Sequence, residues 1–492
     1  MHSEEELDRI AQEQDRIAQE QDRSATFELI RELTESGAAG AVSSDLVQTL
    51  ARVGDPRAVP ALVAIGRDLG QPDVVREAAF GVLSDAASVP GSAELREWWA
   101  VGDDLVRAFV LREATRAETD LIEPVARDPQ HPLYRDALVG LQFGFEEPRW
   151  QECKIAALDH ADPAVRRTAA DALCWDEPVA AEPGLHRAAA DADEAVACAA
   201  LDTLRYYPGR ATLRLLHDIA QGTGERAEMA RDAELYLLGD FEPERVRLAD
   251  WMAPIADLLG TGDVAEPEPW SPGPSPVKPA APLASEIIAV FSDPDGSWAS
   301  RIAMLFDRDW SAMPAADRPA LAAFLAAHPD PQVRTLSCGP LSDWHEADRL
   351  LELAHDPNLI VRKSAVYHLR NVPPSREIAA FTWNLVESGA VAGTAGYEAL
   401  ATCAAHTAPG ELDECLITLA RNDLREGIRD EAISLLGDRI EPLLPLLTEP
   451  PLLTWGVHFR LVDICRKSGL RIPGERELRS VDNLHLAAAL AG

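Results

Sequence analysis

Lysine is nearly missing from this chain. Only Lys154, Lys278, Lys363 and Lys467 stand among 46 basic residues in a sequence of 492. The bias toward arginine fits a GC-rich genome and by itself points to no function. Aromatic residues are scarce too, at 6%, although 47% of the chain is hydrophobic. The apolar share is therefore mostly Ala, Leu and Val, which suits helices packed closely through small residues. β-Branched runs with period-two alternation are few, which argues against sheets. The seven cysteines, Cys153, Cys174, Cys198, Cys338, Cys403, Cys415 and Cys465, stand singly with no CxxC pair. That pattern fits free thiols in a reducing compartment, so a cytoplasmic location is expected. No run of about 18 apolar residues occurs, so no membrane span is expected. The acidic, polar N-terminus does not read as a secretory signal.

What is abundant is negative charge. With 82 acidic residues, the formal net charge is −36. Such a surface repels phosphate backbones, so no nucleic-acid partner is expected. It attracts basic peptides, basic protein faces and cations, and it also confers solubility.

Repetition is the other conspicuous feature. The chain reads "DPAVRRTAADAL" from 162, "DPQVRTLSCGPL" from 330 and "DPNLIVRKSAVYHL" from 356. Looser copies are "QPDVVREAAFGVL" and "GIRDEAISLL". The frame is a turn with Asp or Pro, an aliphatic residue, Arg, a small residue and Leu. Asp is a good N-cap, and Pro is tolerated at the first helical position because its missing N–H costs nothing there. The aliphatic, small and Leu positions then share one helix face. Anchored on arginine, the register runs Arg76, Arg107, Arg135, Arg166, then Ala197 in the arginine slot, with steps of 31, 28, 31 and 31 residues. It resumes at Arg231, Arg334, Arg362, Arg429 and Arg460. A period near 30 holds two helices and two turns, and units that cannot bury their apolar faces alone must stack.

These stretches resemble the HEAT-repeat family. "GDPRAVPALVAIGRDLGQPDVVREAAFGVL" is most similar to the HEAT-like repeats named after phycobilisome lyases, with "GDPRAVPAL" as first helix and "VVREAAFGVL" as second. The resemblance implies an all-α fold, an α-solenoid of HEAT-like helical hairpins. It implies little about function, because that family spans scaffolds, transport receptors, lyase subunits and a few enzymes. A second level of repetition pairs "RDAELYLLGDFEP" with "RDEAISLLGDRIEP", 198 residues apart. Either a multi-repeat block was duplicated or related repeats converged on one phrase.

The organisation expected is a polar N-terminal helix in 1–36, a first array in 37–260, a Pro-rich linker in 261–285 and a second array with a C-terminal cap in 286–492. Seven prolines fall between Pro267 and Pro282, which forbids helix there and favours an extended segment. At the start, Asp8 to Gln14 is copied in Asp15 to Gln21, a seven-residue period. A zipper needs apolar residues at both a and d, and Gln14 and Gln21 spoil the seam. A single helix over 4–33 is expected instead. Between 460 and 480, Arg460, Arg466, Lys467, Arg471, Arg476 and Arg479 face three acids. This is either a docking patch or, preferably, a cap neutralising acidic neighbours.

Motifs for chemistry are sparse. "GTGERA" fits a dinucleotide pattern but has no strand before it, and reads as a turn. There is no HExxH, and His345-Glu346 is the only His-Glu pair. HEAT-repeat di-iron hydroxylases place several such pairs at their metals, so that activity is not expected. HEAT-like DNA glycosylases need a basic, aromatic-lined face, and the charge balance opposes it. No catalytic residue, cofactor or metal site is expected. Two sets of residues remain as candidates. Arg76, Arg107, Arg135, Arg166, Arg334 and Arg362 form either an internal hydrogen-bonded ladder or a row of donors on the concave face. The doublets Trp98-Trp99 and Tyr206-Tyr207 each place one ring away from the core, because adjacent helical residues diverge. The expectation is a protein- or peptide-binding scaffold for a partner with a basic face, monomeric or in a hetero-complex. The alternatives are a lyase-type subunit that holds a substrate and, third, a nucleic-acid-processing protein.

Overall fold

The computed structural model describes residues 47, 58–85, 90–142, 145, 147–174, 176–239, 281–292, 304–305, 308–310, 313–389 and 394–491. The N-terminal helix expected over 4–33 and nearly all of the Pro-rich stretch lie outside these. Among the described residues there are 24 α-helices and no β-strand. None of the helices is long and apolar enough to cross a membrane.

Contacts sort the chain into two compact units, 1–113 with 273–374 and 114–272 with 375–492. Each unit takes helices from both sides of the Pro-rich stretch, a grouping that differs from the chain-order arrays drawn at 37–260 and 286–492. The first unit holds α1 (Val59–Arg67), α2 (Asp73–Asp85), α3 (Ser92–Val101) and α4 (Asp104–Glu113). It also holds α13 (Ala284–Ser292), α14 (Arg318–Ala326), α15 (Pro331–Asp343), α16 (Ala347–Leu353) and α17 (Leu359–Leu369). The second begins with α5 (Thr119–Ala126), α6 (Tyr134–Gly140), α7 (Pro148–Ala157), α8 (Pro163–Ala172), α9 (Glu182–Ala188), α10 (Glu194–Leu204), α11 (Arg210–Ala220) and α12 (Glu225–Gly239). It ends with α18 (Arg376–Ser388), α19 (Thr394–Ala405), α20 (Asp413–Asn422), α21 (Glu426–Leu436), α22 (Gly456–Ser468), α23 (Glu475–Leu478) and α24 (Leu484–Ala491).

Each hairpin packs its two helices together, as α1 on α2, α7 on α8 and α20 on α21. Second helices then pack on second helices, α6 on α8 on α10 on α12 and α15 on α17. This stacking makes the chain an α-solenoid of HEAT-like repeats. Helix α10 shows why the sequence allows it. Eight of its eleven residues are buried, among them Ala197, Ala199 and Ala200. The alanines let neighbours approach from several sides, and burial of Val196, Leu201 and Leu204 contributes about 1.5–3 kcal/mol each. Polar atoms in this core are spent between repeats: Thr203 donates to the carbonyl of Ala170 (2.9 Å) and the Tyr207 hydroxyl to that of Leu173 (3.0 Å). In the first unit a Cβ on Gly66 would lie 2.8 Å from the Phe80 ring, so the α1–α2 approach requires glycine.

The Asp-Pro signal holds in some repeats and not in others. Asp162 and Asp330 cap α8 and α15, each with proline at the next position. At 356 the cap is instead Asn358, whose side chain accepts the amides of Ile360 and Val361. Asp356 has been recruited by an arginine of the preceding repeat. Asp128 accepts the Gln130 amide in a turn, and α6 begins only at Tyr134.

Candidate functional site

The arginine register resolves into two kinds of bond. Arg76, Arg166 and Arg334 each make a forked pair with an aspartate in the next repeat. Arg76 meets Asp103 at 2.7 and 2.9 Å, Arg166 meets Asp191 at 2.8 and 2.9 Å, and Arg334 meets Asp356 at 2.6 and 2.9 Å. The guanidinium fork suits this geometry, and the charge-assisted bonds link successive hairpins. The other bond runs to carbonyls left open at helix ends and turns. Arg166 also reaches the carbonyls of His160 and Ala161, Arg334 those of His328 and Pro329, and Arg362 those of Asp356 and Pro357. Arg76, Arg231 and Arg429 donate to the carbonyls of Gly66, Ala220 and Ala420 at the end of the first helix of the same hairpin. Arg231 and Arg429, 198 residues apart in the paired phrases, thus make equivalent bonds.

Arg460 is forked onto Asp430 at 3.1 and 3.1 Å, whereas Arg135 and Arg107 are held more loosely. Arg135 donates to the Thr168 hydroxyl (3.3 Å). Arg107 donates to the Trp99 carbonyl and lies 5.9 Å from that ring. Trp98 is fully buried against Phe80 and Phe109, whereas Trp99 is half-buried. At the C-terminal end, Arg466 and Arg479 converge on Glu475 and on the carbonyl of Leu490, at the end of α24.

The second doublet lies at a cavity in the second unit. Tyr207 is buried and Tyr206 half-buried. Both line a space of about 420 Å³ shared with Glu177, Glu182, Thr454, Trp455, Phe459, Asp482 and His485. Its walls come from stretches some 270 residues apart. They are joined by the Val179 amide to the Leu453 carbonyl (2.8 Å) and the Leu484 amide to the Pro208 carbonyl (2.6 Å). Asp482 completes the joint. It accepts the amides of Arg210 and Ala211 and the Arg210 guanidinium, so it caps α11 from a distant segment. Gly209, which precedes α11, has no side chain to do this, and a Cβ there would come within 2.6 Å of Glu182 Oε1.

Among the described residues, no lysine or arginine lines the cavity. Glu182 accepts the Thr212 hydroxyl (2.5 Å), and Thr212 is also bonded to His186 (2.8 Å). Burial raises the pKa of Glu182, and burial lowers that of His186. Glu177 stands at the mouth, accessible to solvent but surrounded by the walls. That enclosure, and then the neighbouring Asp176, push its pKa up to about 7. Its backbone is left-handed, with φ 45°. Behind it, Asp176 takes the buried ammonium of Lys154 and the amide of Gln151. Tyr206 carries the Arg205 guanidinium 5.6 Å from its ring, which leaves Trp455 and Phe459 as aromatic walls without a cation among the described residues. Of the ten residues singled out in the sequence, only Tyr206 and Tyr207 reach this cavity. Trp455 and Phe459 were missed. Their only sequence signal is the i, i+4 spacing of the two rings just after Pro450-Pro451.

No protein-family model and no curated protein matches this chain. Several solved structures are similar to it at low identity. A crystal structure of Kap121p shares 12% identity over 94% of this chain and 53% of its own, with a TM-score of 0.29. The Kap95:Nup1 complex gives 14% identity, coverage of 96% and 67%, and 0.30. The S. pombe condensin Cnd3-Cnd2 subcomplex gives 15%, 90% and 72%, and 0.27. This chain spans about half the length of the Kap121p chain it matches. At these scores the fold assignment rests on the helix pairing described above.

Proposed function

We propose that this chain is a non-catalytic scaffold that binds a protein or peptide with a basic face. One observation carries the proposal: in a chain of net charge −36, Arg76, Arg166, Arg334 and Arg460 are each already forked onto an aspartate, so the unbalanced charge that remains is acidic. A field of that sign speeds encounter with a basic partner and repels nucleic acid. The test is affinity purification from native lysate, followed by titration of the purified chain with basic and acidic peptide pools at rising salt. A stoichiometric basic protein partner and salt-sensitive binding of basic peptides only are expected. Retention of a small molecule or covalent adduct with no protein partner, or equal binding of both pools, overturns the proposal.

A further inference from the structure

We infer that the cavity of the second unit is a socket for an arginine side chain of the partner, an assignment that rests on the basic-partner proposal above. Its volume of about 420 Å³ is that of a site for a side chain or small ligand, within the range of about 300–1,000 Å³ usual for such pockets. Its chemistry selects the charge. Among the described residues, neither Glu177 nor Glu182 meets a lysine or arginine, whereas the third carboxylate, Asp482, already holds Arg210. Glu182 is half-buried and Glu177, although open to solvent, lines the same aromatic-walled space, so an incoming cation meets two carboxylates and offsets the cost of burying the inner one. An anion would be repelled, and a purely apolar group would strand both carboxylates.

The walls select the guanidinium. Trp455 is half-buried and Phe459 is 39% exposed, so flat apolar faces stand open beside the acids. A guanidinium stacks on such faces, is less hydrated than an ammonium and presents a fork to carboxylates. The acids are also held in place. Thr212, anchored by His186, fixes Glu182, and Gly209 leaves room for its carboxylate. Glu177 occupies a left-handed position where glycine or asparagine would be relaxed, so the fold keeps a carboxylate there at a backbone cost.

The experiment is saturation-transfer NMR of the full chain with a blocked Ala-Arg-Ala peptide, its citrulline analogue and its lysine analogue. Citrulline keeps the shape and removes the charge. The arginine peptide is expected to bind about tenfold more tightly than the citrulline peptide, and more tightly than the lysine peptide. Glu177→Gln and Trp455→Leu are each expected to weaken it about tenfold. Glu177→Gln removes a charge the fold does not favour, so it keeps the test valid if Trp455→Leu disturbs packing. Equal binding of arginine and citrulline peptides, tighter binding of lysine, or an unaffected folded Glu177→Gln variant each overturns the socket. If longer basic peptides bind in a salt-sensitive way that neither variant alters, the socket falls and the basic-partner proposal stands. If no basic peptide binds, both fall.

Discussion

Arg76→Gln is the sharpest test of the internal ladder. The Arg76 side chain is 2% exposed and makes four bonds within the first unit. Gln is shorter and uncharged, so it cannot span from the Gly66 carbonyl to Asp103. The lost bond to a buried carbonyl costs about 1 kcal/mol. Charge-assisted bonds to a carboxylate contribute about 1.5–3 kcal/mol when enclosed. Asp103 is 36% exposed and keeps the Val106 amide, so solvent screening reduces this to about 1–2 kcal/mol. The arm to Asp73 is exposed and counts for little. The sum is about 2–3 kcal/mol. Arg107→Gln, one period on, breaks one backbone bond and weak, solvent-screened contacts to Asp104 and the Trp99 ring from a 39% exposed side chain, and should cost under about 1 kcal/mol. Repeat arrays do not unfold in two states, so local hydrogen exchange over 59–113 is the proper assay. Arg76→Gln should lower protection there roughly 30- to 150-fold. The pH dependence supplies a second check. The Arg76 hydrogen bond holds the Asp103 pKa below the usual carboxylate value. A depressed folded pKa gives stability above the unfolded value, near 3.9, that is lost as pH falls through the folded one. The gap between wild type and variant should therefore narrow below about pH 4. Equal effects of the two substitutions, or a gap that does not change with pH, would refute the ladder.

Three further outcomes follow from the second unit and the thiols. Lys154→Gln leaves Asp176, which is 9% exposed, with only the Gln151 amide and should lower local hydrogen-exchange protection over 147–174 by about 100-fold or more, while no loss would mean that the pair is not formed. Glu177 has a raised folded pKa, so its contribution is complete below the unfolded value and is lost as pH rises toward about 7. Thermal melts should show wild type losing stability relative to Glu177→Gln across that window, and a parallel pH profile would contradict the enclosure argued for its carboxylate. Burial pushes the Cys338 thiol up to about 12 and Cys174 up to about 11, whereas Cys415 is exposed. In the native protein Cys415 should react first with a disulfide reagent at neutral pH, as mapped by mass spectrometry, and Cys338 only after unfolding.

Much of the fold was legible because it is local. The spacing of Val165, Ala169 and Leu173 defines a helix face, and Asp162-Pro163 defines its start, wherever the chain folds. The arginine slot was legible too, since its bonds to nearby turn carbonyls, as at Arg362, span only five or six residues. Which arginine finds a carboxylate was not legible. Nothing in the frame around Arg166 points to Asp191, 25 residues on, which stacking brings within reach. The same limit applies to the aromatic residues. Trp98 and Trp455 look alike in sequence, but one is buried against the stacked pair Phe80 and Phe109 and the other lines a cavity.

The sequence by itself thus determined helices, their period and their need to stack, because caps, small residues and apolar faces act within one hairpin. Only tertiary structure decided the site. Glu177, Glu182, Trp455 and Phe459 form one surface because Asp482 caps a helix some 270 residues away and Leu484 bonds to Pro208. Those bonds answer to no periodicity. They form where two stretches of chain meet and unsatisfied backbone groups require a partner.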